Sequence, residues 1–188
     1  MRKTTTTHPV NKLLIRIPSL LVLLLWIAIL PVLGQWKSDD KNASDSPDRK
    51  SLNGFGAHLV ALKDPRAFIQ EWIKPETPKI KSAIKTKPGE SLGILVFFAG
   101  CKEVNGACNS EVDYTIYKPD GSTFVVRKAQ PLWKEPTPPK PNIQMGRAIL
   151  AFAFPKGQLS GKYKIMAKVR DINADITLDL ETELELKN

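Results

Sequence analysis

Few side chains in this sequence could carry chemistry, and the cysteines come first among them. Cys101 and Cys108 are the two cysteines of the chain, and they bracket the segment 102–107. This segment contains Asn105-Gly106, a strong turn signal. The spacing is not the Cys-x-x-Cys of a redox-active pair. We therefore expect a structural disulfide that joins the ends of a short loop between two strands.

Catalytic chemistry has little support in the sequence. Acid–base or nucleophilic catalysis needs a base within reach of a nucleophile, yet His58 is the only histidine beyond the N-terminal apolar segment, and it lies in a predicted strand. The Gly-x-Ser-x-Gly, His-Glu-x-x-His, P-loop and Gly-x-Gly-x-x-Gly motifs are absent. A glycosidase needs two carboxylates in one cleft, and nothing in the sequence brings Asp113, Asp120, Asp171 or Asp175 together. The sequence predicts no catalytic residue and no cofactor, and a hydrolase is the least favoured class.

One short segment has the start of a calcium-binding loop. Asp171, Asn173 and Asp175 follow the Asp-x-Asn-x-Asp pattern. An EF-hand would need Gly where Ile176 stands and Glu where Thr182 stands, so the segment is not an EF-hand. A looser oxygen-rich metal site remains an alternative to the simpler interpretation, which is a polar hairpin turn.

A proline-rich stretch from Ala129 to Arg147 is the best candidate for an interaction surface. Connections of this length are uncommon and often functional. The alternative is a rigid crossover strap whose tryptophan packs on the edge of the fold. The candidate surface consists of Trp133, Pro136, Pro138 and Pro139, with Trp72 as a further aromatic residue.

Most of the remaining patterns predict strands. Residues 162–170 and 176–186 both alternate between apolar and charged side chains; the charges are basic in the first segment and acidic in the second. If the two strands pair antiparallel, their apolar faces align when Asp171 lies opposite Ile176. The same register places Lys168 opposite Asp179 and Lys164 opposite Glu183, so that opposite charges face each other.

The other elements complete a two-sheet fold. Residues 92–100 are apolar on both faces, which is typical of a central strand. A short helix is predicted over Pro65–Ile73, because Asp64 is a good N-cap and proline suits the first helical position. Phe68 and Trp72 share one face of this helix. They are expected to plug the end of the sandwich, with cofactor stacking as the alternative.

The N-terminus has the features of a targeting segment. Residues 20–34 carry no charge and follow four basic residues, a pattern typical of a secretory signal peptide. The predicted organisation is a signal peptide or uncleaved anchor over 1–34, a flexible polar linker over 35–54 and a β-sandwich over 55–188. We expect a periplasmic or extracellular protein that contacts the membrane only through its N-terminal segment, with 17–34 as a possible tether.

The net charge gives no sign of nucleic-acid binding. The formal charge is +9, of which residues 1–35 account for +4, so the remaining chain carries +5. No basic stripe with interleaved aromatic residues follows one face, as a nucleic-acid groove would require.

Several turn and strand motifs resemble a known group of domains. Lys87-Pro88-Gly89-Glu90, Pro119-Asp120-Gly121 and Gly161-Lys162-Tyr163 resemble the corresponding segments of macroglobulin-type and other immunoglobulin-like sandwich domains. The chain also resembles a set of uncharacterised exported bacterial proteins in the combination of Phe97–Cys101, Val112-Asp113-Tyr114, Pro119-Asp120-Gly121, Leu132-Trp133 and Gly161–Asp171. The resemblance implies an all-β, immunoglobulin-like antiparallel β-sandwich of about seven strands with one short helix, and a non-enzymatic role. It carries no functional residues with it.

The predicted function follows from export, fold class and the missing catalytic motifs. We expect a non-catalytic binding module that contacts another envelope or secreted protein. The alternative is a carbohydrate- or small-ligand-binding sandwich in which Trp133, Trp72 and nearby tyrosines stack on the ligand.

Overall fold

The computed structural model describes residues 37–38, 41–42, 44–76, 78–138 and 143–187, and within these ranges it is nearly all β. The described helix is α1 (Pro65–Trp72). The strands in chain order are β1 (Lys37–Ser38), β2 (Lys41–Asn42), β3 (Arg49–Leu52), β4 (Phe55–Lys63), β5 (Lys85–Thr86), β6 (Leu92–Ala99), β7 (Ser110–Tyr117), β8 (Thr123–Trp133), β9 (Gln144–Met145), β10 (Leu150–Phe152), β11 (Gly161–Asp171) and β12 (Ile176–Leu186).

The strands form two five-stranded sheets and one small ribbon. The first sheet has the order β10-β6-β4-β3, and β9 also pairs with β6. The second sheet has the order β5-β12-β11-β7-β8. The strands β1 and β2 pair with each other. Of the described pairings, only that of β5 with β12 is parallel. The predicted antiparallel β-sandwich with one short helix is confirmed.

The core lies between the two sheets, where alternating strands present their apolar faces. In β11, Tyr163, Ile165, Ala167 and Val169 are buried and the intervening lysines are not. The strands β7 and β12 show the same alternation. Each large apolar side chain removed from water contributes about 1.5–3 kcal/mol, so this alternation determines which face of each strand turns inward.

The register predicted for the last two strands is confirmed. Asp171 lies opposite Ile176, Lys168 opposite Asp179 and Lys164 opposite Glu183. A slip of one residue would expose the whole apolar face of β12, which is why the pattern alone specifies the pairing.

The ion pairs across these two strands are partly diagonal. Lys168 pairs directly with Asp179 at 3.1 Å. The Lys164 ammonium group instead lies 2.7 Å from the Glu181 carboxylate, and the Lys162 ammonium group lies 2.9 Å from the Glu183 carboxylate. Diagonal neighbours lie within reach of long side chains on a twisted sheet. All of these pairs are exposed, so each contributes only about 0.2–1 kcal/mol.

The predicted helix is confirmed, but its position differs from the prediction. The Asp64 side chain accepts a hydrogen bond from the Ala67 N–H at 3.1 Å and caps the helix. The helix covers the outer face of the first sheet, where the Trp72 and Phe97 ring centroids are 4.9 Å apart. The predicted plug at the sandwich end is wrong, because β6 is apolar on both faces and its outer face needs a cover.

The segment 82–84, which leads into β5, crosses from the first sheet to the second. A strand is predicted over residues 80–85, but only Lys85 of these residues lies in a strand. The Ala83 N–H donates to the Ala61 carbonyl at 2.6 Å, and the Ile84 carbonyl accepts from the Glu185 N–H at 3.0 Å. These bonds attach neighbouring residues to different sheets, so the segment cannot continue one ladder.

The folded region begins earlier than predicted. Strand β3 pairs with β4 through a hairpin turn at Asn53-Gly54, where both residues have positive φ. Asn-Gly is the dipeptide that a type I′ turn favours, but the turn at Asn53-Gly54 was not among the predicted turns. The predicted linker over 35–54 is therefore wrong for 49–52. The predicted signal or anchor over 1–34 lies outside the described residues, and within the described ranges no helix is both long and apolar enough to span a bilayer.

Candidate functional site

Trp133 ends strand β8 and is held on several sides. Its ring lies 5.7 Å from Phe98 between centroids, and the Arg147 guanidinium lies 5.1 Å from its centroid. The indole N–H donates to the Pro136 carbonyl at 3.2 Å. The side chain is half-buried, so Trp133 is an ordered part of the surface and not a mobile loop residue.

The stretch from Ala129 to Arg147 is less irregular than predicted. Its first five residues belong to β8, and Pro131 pairs opposite Glu111 within that strand. The strand β8 is the last in the order of the second sheet. Proline is tolerated in an edge strand because no outer neighbour needs its missing N–H, and this is why the prolines did not end the strand.

A bulge in β8 precedes the tryptophan. Val112 faces Gln130 and Tyr114 faces Arg127, so Asp113 faces two residues, one of which is Ala129. Ala129 has φ +49°, and its N–H donates to the Asp113 carboxylate at 2.7 Å. Bulges increase the local twist and interrupt the ladder of an edge strand. The free edge of β8 is therefore unsuited to the addition of another strand.

A groove of about 480 Å³, here called the Trp133 groove, lies between the end of β8 and the start of β10. Its lining carries three basic side chains and one acidic side chain, for a formal charge of +2. Glu135 pairs with Arg147, whereas Arg127 and Lys134 make no ion pair within the described part of the chain. The lining residues are Tyr114, Arg127, Gln130, Pro131, Trp133, Lys134, Glu135, Arg147, Ala148, Ile149 and Leu150.

The floor of the groove is fixed by a buried tyrosine. The Tyr114 hydroxyl donates to the Ala148 carbonyl at 2.8 Å and so ties the second sheet to the segment before β10. Burial raises the pKa of Tyr114 far above its usual value. Tyr114 therefore positions the groove and is not available for proton transfer at neutral pH.

The predicted disulfide is confirmed, and it supports one wall of the groove. Cys101 and Cys108 are bonded and buried, with their Cα atoms 5.9 Å apart. The predicted Asn105-Gly106 turn is also present, with φ of +51° and +79°. The Cys108 N–H donates to the Glu135 carbonyl at 3.2 Å, and the Thr137 N–H donates to the Gly106 carbonyl at 3.0 Å. The loop thus holds the segment that follows Trp133.

The candidate calcium loop is a hairpin turn that locks the disulfide loop. The buried Asp171 carboxylate accepts hydrogen bonds from the N–H groups of Lys102 at 2.7 Å, Asn173 at 3.1 Å and Ala174 at 3.3 Å. The Asn173 amide donates to the carbonyls of Lys102 and Ala107. These bonds explain the side-chain pattern without a metal ion. Among the described residues, no group of three or more acidic, histidine or cysteine side chains is arranged to hold one.

The predicted interaction residues do not form a single surface. Trp133 and Pro136 lie together beside the groove; Pro136 is exposed and Pro138 is half-buried. Trp72 packs on Phe97 beneath α1, on the outer face of the first sheet, so it does not share the groove. Pro139 lies outside the described residues.

The basic side chains of the groove are not among the residues predicted from the sequence. Lys134 directly follows Trp133 in the sequence and Arg127 belongs to the same strand, so their charge was a usable signal. Arg147 had no such signal, because it lies against the Trp133 ring although it is distant from it in the sequence.

Two carboxylates converge on the outer face of the second sheet, but both form ion pairs with an arginine. The Arg170 guanidinium donates to both oxygens of Asp113, at 2.7 and 3.1 Å, and to Glu111 at 2.9 Å. Hydrogen bonds from Arg170 hold the pKa of Asp113 far below its usual value. A general acid needs a pKa that is raised toward neutrality. The Asp113 cluster does not fit that role and instead stabilises the sheet.

The Asp113 cluster predicts a specific loss of stability in acid. Because its pKa is lower in the folded than in the unfolded state, Asp113 stabilises the fold above its usual pKa of 3.8, and this contribution is lost as the pH falls through the lower folded value. The free energy of unfolding, measured in urea from about pH 5 toward pH 2, should fall less steeply for Asp113→Asn than for the unmodified chain. Parallel pH profiles would contradict the assignment.

His58 is a structural residue of the first sheet. The His58 imidazole lies 3.4 Å from the Asp48 carboxylate. Burial lowers the pKa of His58, although the Asp48 charge opposes this shift. His58 lies on β4 and is not among the lining residues of the Trp133 groove.

Comparison with known proteins shows similarity of fold only. No protein-family model and no curated protein matches the chain. Two opposed antiparallel sheets with a buried interface are present. The described part of the chain is a two-sheet β-sandwich. An immunoglobulin-like protein from Pseudomonas aeruginosa is similar to it at 14% identity, with 70% of this chain and 91% of that chain covered and a TM-score of 0.32.

Two further solved structures are similar at low identity. A Niemann-Pick type C2 protein from the Japanese carpenter ant has 13% identity and a TM-score of 0.40, over 69% of this chain and 89% of that chain. The CARDB domain of a Pyrococcus furiosus protein has 10% identity and a TM-score of 0.40, over 78% of this chain and all of that domain. The two-sheet sandwich described above rests on the sheet order and burial within this chain.

Proposed function

We propose that this immunoglobulin-like sandwich is a non-catalytic, exported module that binds an extended acidic segment of an envelope or secreted protein in the Trp133 groove. The observation that carries the proposal is the groove itself, with its tryptophan wall and its two basic side chains, Arg127 and Lys134, that lack acidic partners among the described residues. Charge of one sign on such a surface favours a partner of the opposite sign.

The geometry favours a protein segment over a sugar. Sugar stacking needs a flat, exposed aromatic face, whereas Phe98 and Arg147 both pack against the Trp133 ring. Trp72 is equally unavailable because it packs on Phe97. An extended peptide needs only the apolar rim and the basic side chains. It would lie in the groove instead of joining the sheet, since the Ala129 bulge and Pro131 interrupt the edge of β8.

Three further observations support an exported, non-catalytic role. The buried disulfide is typical of proteins that mature outside the cytoplasm. The converging carboxylates Glu111 and Asp113 are ion-paired with Arg170, and Asp113 is also paired with Lys128. The groove's formal charge of +2 is small compared with the basic track that nucleic acid requires, so we keep nucleic acid outside the proposed partners.

Site-specific crosslinking tests this proposal in intact cells. A photo-crosslinking residue at Gln130, which lines the groove, should capture one dominant envelope or secreted protein. The charge reversal Arg127→Glu with Lys134→Glu should reduce that capture by about tenfold, because two attractive contacts become repulsive. Mass spectrometry identifies the captured protein and its crosslinked segment, which should be acidic.

The matched control is Lys87→Glu with Lys156→Glu. These exposed lysines change the net charge by the same amount but do not line the groove. Capture should persist in the control. The proposal is wrong if capture survives the groove reversal, or if the crosslinked segment carries no acidic residues.

A further inference from the structure

A second groove is more strongly basic than the Trp133 groove. It has a volume of about 410 Å³ and lies beside α1, where the chain crosses between the sheets. Of its nine lining residues, four are lysines and none is acidic. We call it the lysine groove; its lining residues are Leu62, Lys63, Phe68, Lys79, Lys81, Ser82, Ala83, Ile84 and Lys85.

Half of these lysines have no acidic partner in the described part of the chain. Lys63 pairs with Glu90 at 2.9 Å, and Lys85 lies 3.8 Å from Glu185. Lys79 and Lys81 are exposed and make no ion pair there. The groove therefore presents uncompensated positive charge to solvent.

The lysine groove also displays a large apolar side chain. Ile84, which lines it, is 70% exposed. Ile84 is not on a loose loop, because its carbonyl and the N–H of Ala83 are bonded to opposite sheets. The fold thus holds an isoleucine outward at a fixed position among lysines.

We propose that the lysine groove docks the domain on an anionic phospholipid bilayer. Lysines lying against headgroup phosphates, with aliphatic side chains entering the interface, are the combination that favours reversible binding to such a surface. Lysine acts as a compact charge and needs no fixed partner geometry, which suits a diffuse layer of headgroups. This goes beyond the sequence expectation that only the N-terminal segment contacts the membrane.

The lysine groove and the Trp133 groove can be occupied together. Lys85 lies in β5 and Trp133 in β8, at opposite edges of the second sheet. Four interstrand spacings separate these strands, or about 19 Å. A docked domain would therefore leave the Trp133 groove open to a protein partner, and the two proposals can fail separately.

Lysine footprinting on the full chain tests the docking. The chain is mixed with vesicles of phosphatidylcholine alone or of equal parts phosphatidylcholine and phosphatidylglycerol, and the acetylation rate of each lysine is measured by mass spectrometry. Lys79 and Lys81 should react about fivefold more slowly on the anionic vesicles, the factor expected for one basic residue near such a surface. Lys102 and Lys156 in the same molecule are internal controls and should react equally on both.

Two further conditions separate docking from simple tethering by the N-terminal segment. Raising the salt to about 1 M shortens the screening length to about 3 Å and should abolish the protection. Ile84→Ser should weaken it while leaving binding through the N-terminal segment intact. Equal rates on both vesicle types would overturn the proposal, as would protection that appears only when soluble envelope proteins are added without lipid.

Discussion

Asp171→Ala is expected to lower the free energy of unfolding by about 3 kcal/mol, because it removes the acceptor of three backbone N–H groups at once. The Asp171 side chain is buried and accepts from Lys102, Asn173 and Ala174. A buried donor left without a partner costs about 1–3 kcal/mol. Partial exposure of the turn keeps the total near the lower end of the sum.

Urea unfolding of two matched variants locates this effect. Asp171→Asn keeps one oxygen for the turn but turns an amide toward the Lys102 N–H, so it should lose part of the stability. Asp175→Asn changes an exposed residue of the same turn whose positive φ suits asparagine, and it should stay within about 0.5 kcal/mol of the unmodified chain. If Asp171→Ala is as mild as Asp175→Asn, the hydrogen bonds assigned to Asp171 are not formed.

Removal of the disulfide by Cys101→Ala with Cys108→Ala is expected to cost about 2.5 kcal/mol, the chain-entropy value for so short a ring. Both side chains are buried in the core between the sheets, so the smaller alanines leave unfilled space in addition. The loop also bonds Glu135 and Thr137 in the segment after Trp133. We therefore expect the double variant to weaken partner capture at the Trp133 groove as well as stability.

The Asp171 and cysteine changes should not be additive. Asp171 and Asn173 both bond the loop that the disulfide closes, and residues that share partners couple in double-mutant cycles. The combined variant should lose less stability than the two separate losses together, because each change already loosens the same loop. Full additivity in urea unfolding would show that the turn and the disulfide loop act independently.

The short-range elements of this fold could be predicted from residue patterns because their causes are local. Asp64-Pro65 begins a helix through side-chain capping and a fixed φ, and α1 begins there. Alternation with period two specifies which face of a strand is buried, so the pairing of β11 with β12 was predicted to the residue. The Cys101–Cys108 bridge closes a short loop around an Asn-Gly turn, and it too was predictable.

Functional geometry depends instead on contacts between distant parts of the chain. The predicted exposed surface separated into two places because Trp72 covers Phe97 and Trp133 packs on Phe98. No local signal indicated that Arg147 would lie against Trp133.

The sequence by itself determined the sandwich class, the disulfide, the helix and the register of the last two strands. Only the tertiary structure decided where the Trp133 and lysine grooves lie. The physical reason is that strand faces and turns follow from neighbouring residues, whereas a groove forms only where separate edges meet. Lys63 and Lys81, for example, share one groove because residues 82–84 cross from one sheet to the other.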